Sequence, residues 1–339
     1  MCPGILILSL LLSGCSGREA EKEQKQEEKQ ETIQIGMTFD SFLLERWQRD
    51  RDVFVSAAQE LGAEVNVQNA NGDLEEQISQ IEYFINKKVD AIVIVANDSG
   101  GLSEAVEEAH RAGIPVIAYD RLILNANVDL YISFDNEEVG RLMGEHMREH
   151  LGDSGQILQI CGPMADNNVP LVMSGFSEAL EGSGLKIMGT EHAENWLSET
   201  GFTAADAYLN TGQELDGIMC GNDGIAGQAI RALSERRMAG NVCVVGQDAD
   251  LDACQRIVEG TQCMTVYKPV ERLARRAAEL SVALAKGAKI FSTETADDGT
   301  YTVPYERLEP VAVTKENMDE VITGKYHEES DIYLNVKDH

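Results

Sequence analysis

Basic residues are scarce in this 339-residue chain: 28 Lys and Arg stand against 58 Asp and Glu, a formal net charge of −30. So acidic a surface repels nucleic-acid phosphates and anionic lipid, and a neutral ligand suits it better. Long apolar runs are missing as well. The run ILILSLLLSGC at residues 5–15 is too short to cross a bilayer as a helix. No GxxxxGK[ST] phosphate loop, HExxH motif or nucleophile elbow occurs, so nucleotide hydrolysis and the common hydrolase chemistries have no visible machinery. The seven cysteines form no CxxC pair and show no Cys/His metal spacing. Neither a cofactor nor a metal is expected. No essential disulfide is expected either, Cys254–Cys263 being the least implausible pair. Tryptophan is rarer still: only Trp47, in LLERWQRDRD, and Trp196, in AENWLSE.

What is present has an order along the chain. Residues 1–14 read as a secretory signal, with the apolar run as its core. Leu12-Ser13-Gly14-Cys15 resembles the bacterial lipoprotein signal, in which Cys15 receives the lipid. Residues 15–31, rich in Glu, Lys and Gln, have no aliphatic face with which to build a core. Such a segment is expected to act as a tether reaching roughly 20–25 Å. Anchor, tether and body predict a protein held outside the cytoplasmic membrane. Composition is that of a soluble globular body, 43% hydrophobic and 25% charged.

From residue 32 onward short β-branched runs alternate with amphipathic helical stretches. TIQIGMTF, AIVIVAN, PVIAYD and YISFD belong to a first series; QILQICG, GIMCGND, VCVVGQD and MTVYK belong to a second. Continuous apolar strands between helices predict parallel sheets covered on both faces, an α/β architecture of two doubly wound, Rossmann-like lobes. Ten main strands suit two sheets of about five or six. The expected division is 32–135 plus 268–297 for the first lobe and 136–267 plus 298–339 for the second. VAVT, within 295–317, is expected to be a final strand of the second lobe.

Ligands of parallel α/β sheets bind beyond the carboxyl ends of the strands. Those positions are polar here: Arg46-Trp47, Asp120-Arg121, Asp166-Asn167-Asn168, Trp196, Asn222-Asp223, Asp248 and Lys268. Carboxylates accept, guanidinium and ammonium groups donate, and amides do both, which matches the hydroxyls of a sugar. A pyranose also has C–H faces that stack on aromatic rings, so one tryptophan per lobe would sandwich it. Trp47 equally shares a helical stripe with Phe54, Ala58 and Leu61, which would make it core. Asp135, Asn136 and Asp223 are expected to cap helices.

ERWQRDRD, VQNANGD, AYDR, DLYISFDNEEVG, DNN at 166–168, NDGIAGQAI, GQDADL and MTVYKP occur in this order. Together they resemble the D-xylose-binding proteins of bacterial ABC transporters, in the pentose/hexose branch of the periplasmic-type binding proteins. The likeness spans about residues 33–325. It implies the periplasmic-binding architecture of type I, with a three-segment hinge, and a monomer closing on one monosaccharide. It also implies that Arg46, Asp120 and Arg121 bind hydroxyls from the first lobe. Asp166, Asn167, Asn222 and Asp248 would do so from the second, Lys268 from the hinge, and Trp47 and Trp196 would stack on opposite ring faces.

The implied function is capture of a monosaccharide, D-xylose foremost, and delivery to a membrane permease served by cytoplasmic ATPases. The alternative on the same fold is a sensor that presents the loaded sugar to a histidine kinase or chemoreceptor. A glycosidase would need paired carboxylates, of which Asp166 and Asp248 are the candidates. Their cationic and amide neighbours favour ionised binding groups over proton transfer. A repressor of related fold would need a DNA-binding headpiece where the acidic tether stands.

Overall fold

The computed structural model describes residues 32–336. The expected signal, Cys15 and tether lie outside the described residues. From Thr32 onward the chain forms one compact unit. It begins β1 (Ile33–Phe39), α1 (Glu45–Glu60), β2 (Ala63–Asn69), α2 (Leu74–Lys87), β3 (Ala91–Ile94), α3 (Ser103–Arg111), β4 (Val116–Tyr119) and β5 (Leu130–Phe134). It continues α4 (Asn136–Leu151), β6 (Ser154–Cys161), α5 (Asn168–Ala179), β7 (Gly184–His192), α6 (Glu199–Asn210), β8 (Gly217–Cys220), α7 (Asp223–Glu235), β9 (Cys243–Gln247), α8 (Leu251–Glu259) and β10 (Met264–Tyr267). The remainder is α9 (Val270–Ala285), β11 (Glu294–Asp297), β12 (Thr302–Leu308), β13 (Val311–Val313), α10 (Met318–Val321) and α11 (Glu329–Ile332).

Two sheets result. The first has seven strands in the order β11-β12-β5-β4-β3-β1-β2, and the second six, β13-β10-β9-β8-β6-β7. All pairings are parallel except β11 with β12 and β13 with β10. Each sheet is covered on both faces, as its uninterrupted apolar strands require. Helices α1 and α9 pack Phe54, Ala58, Leu273 and Ala277 on one face of the first sheet, while α2 and α3 cover the other with Ile81, Phe84 and Val106. Helices α4 and α5 cover one face of the second sheet, and α6 and α7 the other.

The chain passes between the sheets three times: after β5, after β10 and after β12. The last passage corrects the expected division. Residues 298–308 were assigned to the second lobe, but β12 pairs with β5 in the first sheet, so the crossing falls at Glu309–Pro310. The strand was hidden by Pro304, which cannot donate to a ladder, and by the charged pair Glu306-Arg307. VAVT does supply the last strand of the second sheet, β13. All five described cysteines are free. Cys254 is buried beside Ala249 with its Sγ 3.6 Å from that carbonyl, and Cys263 lies near Cys243 instead.

Helices α4 and α5 touch backbone to backbone. A Cβ added at Gly140 would sit 1.9 Å from the Val172 carbonyl oxygen, and one at Gly175 1.9 Å from that of Glu137. Neither obstacle is a side chain that can swing away. Gly140→Ala is therefore expected to cost about 1–3 kcal/mol. Urea unfolding would read this as a lower midpoint at unchanged slope.

Candidate ligand-binding site

The loops beyond β3 and β6 meet where the lobes face each other. Ser99 donates to the Ala165 carbonyl from both its backbone N, at 2.9 Å, and its Oγ, at 2.7 Å. Behind this contact lies a cavity lined by side chains of both lobes.

The first wall rests on the first turn of α1 and the end of β4. Arg46 is buried, with Nε 3.2 Å from Asp50, Nη2 2.9 Å from Asp120 and Nη1 3.9 Å from Asp248. Tyr119 donates its hydroxyl to Asp50 from below. Trp47 packs edge-on to Phe39, with ring centroids 6.0 Å apart, and Arg46 lies over its ring at 4.4 Å. Its Nε1 has no hydrogen-bond partner among the described residues, although Trp47 is 1% exposed. Trp47 thus belongs at once to the apolar core and to the cavity lining. Leu61, grouped with it by helical spacing, is 43% exposed.

Asp120 adopts a left-handed φ of 65°, and Arg121 N donates to Tyr119 O across it at 2.8 Å. Such a tight turn is rare for a side-chain-bearing residue. It is held by its carbonyl, which accepts from Ser133 Oγ at 2.6 Å and from Asn168 Nδ2 at 3.1 Å. Arg121 then spans the lobes. Its Nη1 bonds Asp40 at 2.7 Å and the Ala96 carbonyl at 2.9 Å, while Nε lies 2.7 Å from Asp166.

The second wall is built on Asp166. Its carboxylate also accepts from Asn168 N at 2.9 Å and from Trp196 Nε1 at 3.2 Å. Trp196 follows Asn195 in a short 3-10 turn, both at left-handed φ, 60° and 48°. The ring lies against Gly162 and Gly221, beyond the ends of β6 and β8. A Cβ at Gly162 would fall 2.3 Å from the indole, and one at Gly221 3.1 Å. Asp248 has φ 101°, and its Oδ1 lies 2.8 Å from Lys268 Nζ as a charge contact. Lys268 also donates to Gln247 Oε1 at 3.0 Å, and Gln247 Nε2 to the Gly221 carbonyl at 2.6 Å.

Burial alone would raise every carboxyl here. Desolvation does push Asp166 and Asp50 up, against the pull of Arg121 and Arg46 respectively. At Asp120 the same desolvation is outweighed by Arg46, Lys268 and Arg121, and the net direction is down. Desolvation would lower Arg46 and Arg121, but Asp120 and Asp50 around the one and Asp166 and Asp40 around the other hold both well above the usual value.

Eight of the ten expected site residues line the cavity: Arg46, Trp47, Asp120, Arg121, Asp166, Trp196, Asp248 and Lys268. Two do not. Asn222 caps α7, its Oδ1 accepting from Ile225 N at 2.8 Å. Asn167 Oδ1 accepts from Leu122 N at 2.9 Å and so ties one lobe to the other. Asp223, expected as a cap, is instead a buried acceptor for Thr265 Oγ1 and Gln262 Nε2, at 2.7 and 2.8 Å. Asp135 does cap α4, accepting from Glu138 N at 3.0 Å. Asn136 does not cap it: it lines the cavity and donates to Asn168 Oδ1 at 3.0 Å. Asn168, placed by sequence among the polar strand-end residues without a role of its own, also lines the cavity, and Gln247, the last residue of β9, is the polar lining residue that the sequence reading does not single out.

Two doubly wound lobes joined by three crossings and closed over one polar cavity define a protein that captures a small ligand between its halves. Residues 35–289 match the family model described as periplasmic binding protein domain, and the chain belongs to that family. The family is one of solute-binding proteins and not of enzymes. The chain is 43% identical over 307 residues to a D-xylose-binding periplasmic protein of Haemophilus influenzae, covering 89% of this chain and 92% of that one. It is 42% identical to the protein of the same name in Escherichia coli, covering 88% and 92%. It is 31% identical to a multiple sugar-binding periplasmic receptor of Rhizobium radiobacter, covering 86% and 90%. A solute-binding protein of an ABC transporter from Clostridium phytofermentans, solved with β-D-glucose, superposes with a TM-score of 0.79 at 29% identity, covering 88% of this chain and 99% of that one.

The depressed Asp120 contributes stability that is present above the ordinary carboxylate range and is lost as pH falls through its lowered value. Asp120→Asn is accordingly expected to be less stable than the parent at neutral pH. Urea unfolding at a series of pH values would show the deficit narrowing on acidification.

Proposed function

We propose that this chain is an extracytoplasmic sugar-binding protein that takes up D-xylose in the cavity between its lobes and hands it to an ABC permease with cytoplasmic ATPases. One observation carries the reading: both tryptophans of the chain, one from each lobe, line the same cavity among three buried cations and three carboxylates. Trp47 and Trp196 would cover the two C–H faces of a pyranose. Arg46, Arg121 and Lys268 would donate to its oxygens, and Asp120, Asp166 and Asp248 would accept from its hydroxyls. The names and identities of the Haemophilus and Escherichia relatives support xylose over other sugars.

Asp166 and Asp248 are each paired with a cation, Arg121 and Lys268. That arrangement serves hydrogen bonding to hydroxyls rather than the acid–base cycle of a glycosidase. The closed form would be selected by the sugar because only there do both walls reach it. A sensing role, in which the loaded form docks on a membrane receptor, is the second reading; the name of the Rhizobium relative, a receptor, favours it. Either role calls for a body outside the cytoplasmic membrane, and Leu12-Ser13-Gly14-Cys15 supports holding it there through lipid on Cys15.

Calorimetric titration of the body from Thr32 onward with D-xylose, D-glucose, D-ribose and L-arabinose tests the ligand. Tight single-site binding of xylose with a change in tryptophan fluorescence is expected; folded protein that ignores xylose would overturn the assignment. In the same assay Trp47→Ala should weaken binding by about 2–4 kcal/mol, the cost of losing a buried aromatic anchor. Membrane fractionation of Cys15→Ser tests the anchor, with release into the soluble fraction expected and continued retention ruling the anchor out.

A further inference from the structure

A second cluster of chemistry lies at the end of the second sheet away from the cavity, where β9 and β10 begin. His146 and His150 stand one helical turn apart near the end of α4. Cys243 opens β9, and Cys263 directly precedes β10. One ligand-capable atom from each of the four lies within 4.8 Å of the others. Cys263 Sγ is 4.0 Å from His150 Nε2, and the two imidazoles stack with centroids 6.3 Å apart at 29°. Lys315 and Glu316 line the same recess.

Two thiols and two imidazoles are the donor set of a tetrahedral structural zinc site, and His-x₃-His is its usual helical spacing. Zn–S and Zn–N bonds of about 2.3 and 2.0 Å place donors roughly 3.3–3.8 Å apart. The four atoms here need to contract by no more than about 1.5 Å, within the reach of small χ adjustments. His150 is exposed and Cys263 and His146 are half-buried, so solvent reaches the recess, while Cys243 is buried. Metal binding would release the thiol protons to solvent. Nothing in the sugar cavity calls for this arrangement.

We propose that His146, His150, Cys243 and Cys263 form a metal site for Zn²⁺ that staples α4 to β9 and β10. It is separate from the sugar cavity. β9 runs from Cys243 at the cluster to Gln247 at the cavity wall, about 13 Å along a strand. Its role is to stabilise the second lobe by mass action on the folded state, not to contact the ligand.

Titration of the reduced, metal-free protein with Co²⁺ tests the site. One equivalent should bring up the intense ligand-field bands and thiolate-to-cobalt charge transfer of a tetrahedral sulfur–nitrogen site, and Zn²⁺ should displace it. Zn²⁺ should also raise Tm. His150→Ala, at an exposed position that spares the fold, and Cys263→Ser should each weaken Co²⁺ binding by about tenfold or more and abolish the thermal shift. A weak, pale octahedral spectrum in reduced wild type would overturn the proposal. So would unchanged Co²⁺ affinity in both variants. Thiol counting on the protein as isolated distinguishes a Cys243–Cys263 disulfide, and a disulfide whose reduced form gives no thiolate band also overturns it.

Discussion

A guanidinium buried between two lobes stays charged only if each lobe offers it oxygen. Arg121 meets that demand with Asp40 and the Ala96 carbonyl on its own side and Asp166 on the other. Removing either partner of such a pair strands a charge in a dry place, which costs far more than a surface ion pair is worth. The same Asp166 carboxylate positions the indole of Trp196 and the start of α5. One contact therefore joins lobe closure, the far wall of the cavity and the loop that carries its aromatic surface. Arg46 repeats the logic with Asp50 and Asp120, and its longer reach to Asp248 extends it across the gap.

Backbone strain is placed in the same pattern. Asp120 ends the fourth strand of the first lobe and Asp248 the fourth of the second, and both sit at positive φ. Side-chain-bearing residues adopt such angles at a cost of about 1–3 kcal/mol, and they persist where the surroundings over-determine them. Ser133 and Asn168 grip the Asp120 carbonyl, while Lys268 meets the Asp248 carboxylate. The two lobes have reached the same local solution for turning a carboxylate into a shared cavity.

Much of this was legible in the sequence, for identifiable reasons. Strands buried on both faces read as continuous apolar runs, so the two series of strand–helix units stand out. Charged residues directly after such runs either cap the next helix, as Asp135 does, or face the cavity, as Asp120, Arg121, Asp248 and Lys268 do. Trp47 was ambiguous because one helix stripe feeds both core and cavity. The amides were harder. Asn136, Asn168, Asn167 and Asn222 all follow strand ends, and nothing in their type separates a cap from a latch or a lining group. β12 was concealed by Pro304 and its charges. The His-x₃-His spacing of α4 was present, but the cysteines stand far off at the starts of β9 and β10, Cys243 being 93 residues beyond His150. Only the sheet brings them together.

The buried charges of the cavity carry a further consequence for the ligand-free molecule. In the closed form Asp50, Asp120, Asp166 and Asp248 share Arg46, Arg121 and Lys268, all of them buried from bulk solvent. Opening the lobes would let each of these ions regain its hydration shell, while closing strips it away again. Solvent therefore acts as a wedge that favours the open form. A ligand that stands in for the water, hydroxyl by hydroxyl, removes the wedge. Capture by such a cleft is then a contest between two hydrogen-bonding partners, bulk water and the sugar's hydroxyls, for the same set of charges.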